Sequence, residues 1–270
     1  LKVWQQYYRE LAVKTNEFPV APQPQPPAAD VLLALSKYDS AIEEVRQASR
    51  LPNSRFPLEY DSDNFYGVLL PHMRALKKCA QVMQLRTLAE LQTGQTDKAL
   101  ADVKLALRLA ESMRNEPFLI SHLVRISILQ ITLQPVWEGL AERKWSEAQL
   151  IELDRELAGL AFLADYKLSM RGEMASQSTL AGYLRRTPDQ ISALGSGEDE
   201  PFPTGSPTFV GYLIPSGWFY QNQVRCADTE ARRMEIVGAG RELDVRHHRP
   251  AFLRQSRHVE HRNAFALDVG

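Results

Sequence analysis

The segment Phe118–Leu140 constrains the fold of this chain more than any other. Leu119, Ile120, Leu123, Val124, Ile126, Ile128, Leu129, Ile131 and Leu133 leave almost no side of a helix polar. A helix that is apolar nearly all round belongs inside a bundle, so the pattern predicts a central, buried helix. Asn115-Glu116-Pro117 supplies its start, because proline's missing N–H costs little in a first turn. Pro135 predicts a kink. His122 and Arg125 interrupt the apolar surface. An unpartnered buried guanidinium is very costly, so Arg125 predicts a carboxylate partner, with Glu111 and Glu116 nearest upstream.

Helical spacing recurs on both sides of this segment. Leu85, Leu88, Ala89 and Leu91 share a face, and Thr93-Gly94-Gln95-Thr96 interrupts it. Asp97 reopens the helix, and Ala99, Leu100, Val103, Ala106, Leu107 and Ala110 line the next face. Gly94 suits the left-handed conformation that ends a helix. The small Ala99 and Ala106 allow a neighbouring helix to approach closely. This hairpin resembles one tetratricopeptide unit, although Thr87 and Glu90 depart from that pattern. No clear second copy follows, and arrays need about three.

Further helices are predicted from Asp30 as N-cap to Ala48, and from about Asn64 to Thr93, with Pro71 marking a kink or a new first turn. Ser146 and Gln149 fit a capping box. It opens a helix bearing Leu150, Leu153, Leu157 and Leu160, which continues after a break to Tyr183. Gly172 inside that run costs about 1 kcal/mol against alanine, so close packing is expected there. Strand signals are weak, the best being Thr208–Ile214. The expected fold is all-α: an antiparallel helical bundle or a short tetratricopeptide-like array with a long C-terminal loop or tail.

Three regions follow from composition. In residues 1–29, Trp4, Tyr7, Tyr8 and Leu11 form a helical face, and five prolines among residues 18–27 predict an extended, solvent-facing spacer. Residues 30–186 are the helical domain. Residues 187–270 are loop-rich, and no lysine follows Lys167 although twelve arginines do. Residues 218–236 can form one more helix.

The 270 residues carry 32 Lys+Arg against 33 Asp+Glu. Such a balance gives no bulk attraction to nucleic acid, and no nucleic-acid partner is expected. Cys79 and Cys226 are too few for a disulfide scaffold or a four-cysteine zinc site. Cys79 sits between Lys77-Lys78 and an apolar face, and the lysines would lower its pKa if they pointed inward, but an ordinary half-buried helical cysteine is the simpler expectation. No nucleophile elbow, phosphate loop or dinucleotide motif occurs, and no cofactor is predicted. Gly195-Ser196-Gly197 lacks the lysine and helix of a phosphate loop.

Two clusters are candidate sites. His122, Arg125 and Glu173 would line a small-ligand or enzymatic pocket if the fold brings them together. His258 and His261, three residues apart, would share a helical face and could chelate a transition metal, although five arginines crowd residues 246–262. The leading expectation is a non-enzymatic interaction or scaffolding module with a protein partner.

The Leu85–Ala110 hairpin, Glu116–Arg125, Arg171-Gly172-Glu173 and Pro215–Asn222 together resemble a family of uncharacterised helical proteins of planctomycete and verrucomicrobial bacteria. The resemblance covers roughly residues 60–225. It implies a helical fold and an N-terminal membrane anchor, which would lie upstream of Leu1. The implied location is the cell envelope or periplasm, with the cytoplasm as the alternative.

Overall fold

A computed structural model describes residues 1–58, 60, 68–187 and 215–247. They are all-α, as expected. In order the helices are α1 (Lys2–Thr15), α2 (Pro27–Leu35), α3 (Asp39–Ala48), α4 (His72–Gln92), α5 (Thr96–Ser112), α6 (Leu119–Ala141), α7 (Glu147–Ala158), α8 (Phe162–Arg186) and α9 (Ser216–His247). One 3-10 turn, Ser36–Tyr38, separates α2 from α3. The chain divides into a compact unit, residues 1–223, and a second unit, residues 224–270. α9 begins in the first unit, and its remainder is what is described of the second. The strand expected at Thr208–Ile214, Gly195-Ser196-Gly197, His258 and His261 lie outside the described residues.

α4 and α5 form the hairpin that the sequence predicts. Gly94 joins them at φ +77°, a backbone conformation that β-carbons disfavour. Ala99 and Ala106 are buried where α5 meets its neighbours. Leu91, Leu100, Val103 and Leu107 pack with Val136 of α6 and Leu153 of α7 in one core cluster. Fully burying each such side chain contributes roughly 1.5–3 kcal/mol. A second cluster joins Tyr8 of α1 to Val31, Ala34 and Leu35 of α2 and to Leu85 and Ala89 of α4. Residues 1–29 therefore belong to the same compact unit as α4.

The proline stretch is irregular and mostly exposed, yet it is tied down. Arg9 Nη2 donates to the Gln23 carbonyl at 3.1 Å and Gln5 Nε2 to the Gln25 carbonyl at 2.8 Å. Asp30 does not cap the helix it was expected to open. α2 starts earlier, at Pro27. The Asp30 carboxylate instead accepts from Arg9, Gln5 and the Gln25 N–H, which fastens α1 to α2. Of the stretch expected to be helical from about Asn64, residues 64–67 lie outside the described residues, and α4 starts at His72, just after Pro71.

The largest correction concerns α6. The described residues do not enclose it on all sides. Ser121, Arg125, Ile128, Thr132, Pro135 and Val136 are buried, but Leu123 is 51% and Trp137 63% exposed. α4 and α5 cover one side, and α8 flanks its N-terminal half. The described helices are too few to close around it. α6 runs without a break through Pro135.

The capping box is complete. Gln149 N–H donates to Ser146 Oγ, and the Gln149 side chain accepts from the Ser146 N–H. Gly172 touches the chain entering α6. A β-carbon there would lie 1.7 Å from the Pro117 carbonyl oxygen, so only glycine lets α8 approach this closely.

Candidate functional site

Two places concentrate chemistry. The first is an open groove of about 760 Å³ between α1, α3 and α4. One wall is aromatic because α1 places Trp4, Tyr7 and Tyr8 at helical spacing. Tyr7 and Tyr8 meet edge-on at 5.3 Å, Tyr8 meets Phe18 at 5.1 Å, and Phe18 meets Tyr38 at 6.1 Å. Burial pushes the Tyr8 hydroxyl up to about 12, so it stays protonated. Trp4 and Tyr7 remain about half exposed. Val82 and Leu88 of α4 and Val45 of α3 add aliphatic surface, and Lys78 and Gln81 are polar members of the lining. Arg74, Lys77 and Lys78 are exposed on α4 and make no ion pair among the described residues. Cys79 also lines the groove. Burial pushes its thiol up, opposite to the effect that inward-pointing lysines would have. Cys79 and Cys226 are both free thiols.

The second place is a buried polar layer where α5 and α8 meet the first turns of α6. Arg125 is 1% exposed and engaged through Nε and Nη2. Its Nε donates to the Ala110 carbonyl at 3.1 Å, and its Nη2 to Glu111 at 2.7 Å and Asp165 at 3.1 Å. The guanidinium also lies 4.9 Å from the Phe162 ring centroid. Glu111 is thus the predicted partner, and Asp165 is a partner that sequence did not suggest. Glu116, the other expected partner, turns elsewhere. Its Oε2 accepts from Ser121 Oγ at 2.5 Å. Its Oε1 lies 2.8 Å from His72 Nε2, close but off the line a hydrogen bond needs.

His122 sits between the rings of Phe162 and Tyr166, and its Nδ1 has no hydrogen-bond partner. Burial, reinforced by the Arg125 charge, holds the imidazole below its ordinary range, so it is neutral at pH 7. Glu173 reaches from α8 to accept from the Leu119 N–H at 3.1 Å. This carboxylate satisfies a free amide at the positive end of α6. His122, Arg125 and Glu173 therefore all meet the N-terminal half of α6. Arg125, through Nε and Nη2, and Glu173, through Oε1, are hydrogen-bonded to protein groups there.

His72 and Glu116 were not paired by sequence reasoning. They stand far apart in the chain, and neither is part of a motif. Among the described residues no group of three or more His, Cys, Asp or Glu side chains is placed to hold a metal ion.

No family model matches the chain, and no curated protein or solved structure shows a significant match to it. The functional reading therefore rests on the geometry itself.

Proposed function

We propose that the protein is an interaction module whose groove takes a segment of another protein bearing aromatic or aliphatic anchors flanked by acidic residues. The groove between α1, α3 and α4 is the observation that carries this reading. Its wall exposes Trp4 and Tyr7, the residue types that dominate binding hot spots because they bury large, rigid area. Lys78 in the lining, with Arg74 and Lys77 on the same helix, offers cationic charge that the described residues do not neutralise. Charge of one sign beside an apolar trough favours a partner of the opposite sign and speeds encounter.

Selection of peptides from a random display library against the full chain tests the reading. Enriched peptides should carry hydrophobic anchors with neighbouring Asp or Glu. Their affinity should fall as salt rises. Trp4→Ala should weaken binding by roughly tenfold or more, and Lys78→Glu by roughly tenfold at low salt. No enrichment, or enriched peptides whose affinity is unchanged by both substitutions, would overturn it.

A further inference from the structure

The side of α6 that the described residues leave uncovered carries an order of its own, separate from the groove. Leu119, Leu123, Ile126, Gln130, Leu133 and Trp137 recur at intervals of four, three, four, three and four. That is the spacing of the seam by which two helices pair knobs into holes. Leu123, Gln130 and Trp137 are exposed, while Leu119, Ile126 and Leu133 are half-buried at the edges of the stripe. The opposite side of the same helix, with Arg125, Ile128, Thr132 and Val136, is already inside the fold.

The geometry points to a second copy of this chain as the occupant, with the two α6 helices paired antiparallel about a two-fold axis. The order of the intervals is the same read in either direction. An antiparallel pair centred at position 128 therefore sets Leu119 against the partner's Trp137 and Leu123 against the partner's Leu133. Ile126 then meets the partner's Gln130. Every seam residue is used, as a two-fold interface requires. The two Gln130 amides fall on either side of the two-fold axis, roughly 6 Å apart along the helices. That is close enough for them to hydrogen-bond each other. One polar residue in an apolar seam fixes register at some cost in stability.

Charge favours the antiparallel sense. Glu138 and Glu142 are exposed at the C-terminal end of α6. The antiparallel arrangement brings them to the partner's N-terminal end, where the helix dipole is positive. The exposed Arg171 sits at that end, beside the Gly172 that touches Pro117. A parallel pair would set Glu138 and Glu142 against their own copies.

Sedimentation velocity of the full chain tests this across low-micromolar to 100 micromolar protein. The expected result is a dimer of 30.6 kDa chains that Leu123→Glu weakens at least a hundredfold. Leu123 is exposed, so that variant should keep the melting temperature that the wild type shows when dilute enough to be monomeric. Register is read by oxidation. With Cys79 and Cys226 replaced by serine, the pair Leu123→Cys and Leu133→Cys should give a covalent dimer. Leu123→Cys alone should not, since its copy is roughly 15 Å away along the helices. A chain that stays monomeric at 100 micromolar overturns the proposal. So does a dimer indifferent to Leu123→Glu, or one cross-linked equally well by Leu123→Cys alone. α6 is also long and apolar enough, with mean hydropathy 1.3, to cross a membrane. A monomer that pellets with phosphatidylglycerol vesicles through Leu123 and Trp137 would assign the stripe to a bilayer and overturn the pairing. A monomer whose residues 188–214 or 248–270 cross-link to the stripe would assign it to the chain itself, with the same consequence.

Discussion

Gly172 of α8 and the carbonyl of Pro117 are in direct contact, with no room between them for a β-carbon, which would stand 1.7 Å from the oxygen. The contact has a functional neighbour. One residue later, Glu173 accepts from the Leu119 N–H. The glycine thus lets α8 come close enough for the carboxylate to cap α6.

Gly172→Ala should therefore separate α8 from the start of α6. The substitution gains helix propensity worth about 1 kcal/mol, but it meets backbone rather than a flexible side chain. Overpacking of that kind costs roughly 3 kcal/mol. A net loss of roughly 2 kcal/mol is expected in urea denaturation, with Met170 and Tyr166 resonances shifted in the folded protein. A melting temperature equal to or above that of the wild type would show that α8 can move away at no cost.

Arg125 holds Glu111 and Asp165 from a site that water does not reach. Arg125→Met should leave two poorly compensated carboxylates and cost about 3 kcal/mol. Arg114, at 3.0 Å from Asp165, tempers the loss on that side. Adding Asp165→Asn to Arg125→Met should recover part of it, and chemical denaturation of the single and double variants measures how much. Equal stability of Arg125→Met and the wild type would contradict the packing described here.

What sequence made legible was local. Ser146 and Gln149 are three residues apart, so their reciprocal capping could be read directly. Gly94 announced its turn through its own conformational freedom. The phase of α6 could not be read in the same way. Apolar residues all round a helix state that each side prefers to leave water, not which side the fold covers. The described helices cover only the side of Arg125 and Ile128. Asp30 misled for a related reason. A cap and a cross-link use the same carboxylate, and only the return of α1 onto α2 brings Arg9 and Gln5 to it. The aromatic face of α1 was legible, whereas Lys78 as its neighbour was not, because more than 60 residues separate Lys78 from Trp4. The Glu116–His72 contact was hidden in the same manner.

The capping box offers a graded test of local against long-range support. Ser146→Ala removes one bond at the start of α7 and should cost about 1 kcal/mol. Gln149→Ala removes the reciprocal bond and also two contacts to α5. Its Nε2 donates to Asp97 at 2.8 Å and to Thr96 Oγ1 at 3.2 Å. Each such bond contributes about 1 kcal/mol net, so Gln149→Ala should be the more damaging of the two by roughly 1–2 kcal/mol. Thermal unfolding of both variants decides the order. The reverse order would place the value of Gln149 in the cap alone.

Glu90 sets how stability responds to pH. It is buried on α4, and its Oε2 has no hydrogen-bond partner. Burial, and then the charge of Asp102, push its carboxyl up from 4.5 to about 7, against the pull of Arg86, Lys98 and Arg46. Between those two values the folded chain keeps a proton that the unfolded chain gives up. The folded state binds more protons there, so stability falls as pH rises. The contribution of Glu90 is fully present below pH 4.5 and is lost as pH passes through about 7. Glu90→Gln removes this dependence while keeping size and polarity. The variant should match the wild type near pH 4.5 and exceed it at pH 8 by an amount on the order of 2–3 kcal/mol. Urea midpoints taken at half-unit steps from pH 4.5 to 8 measure the divergence. Parallel curves for the two proteins would mean that Glu90 is ionised throughout and that Arg86, at 3.6 Å, compensates its burial in full.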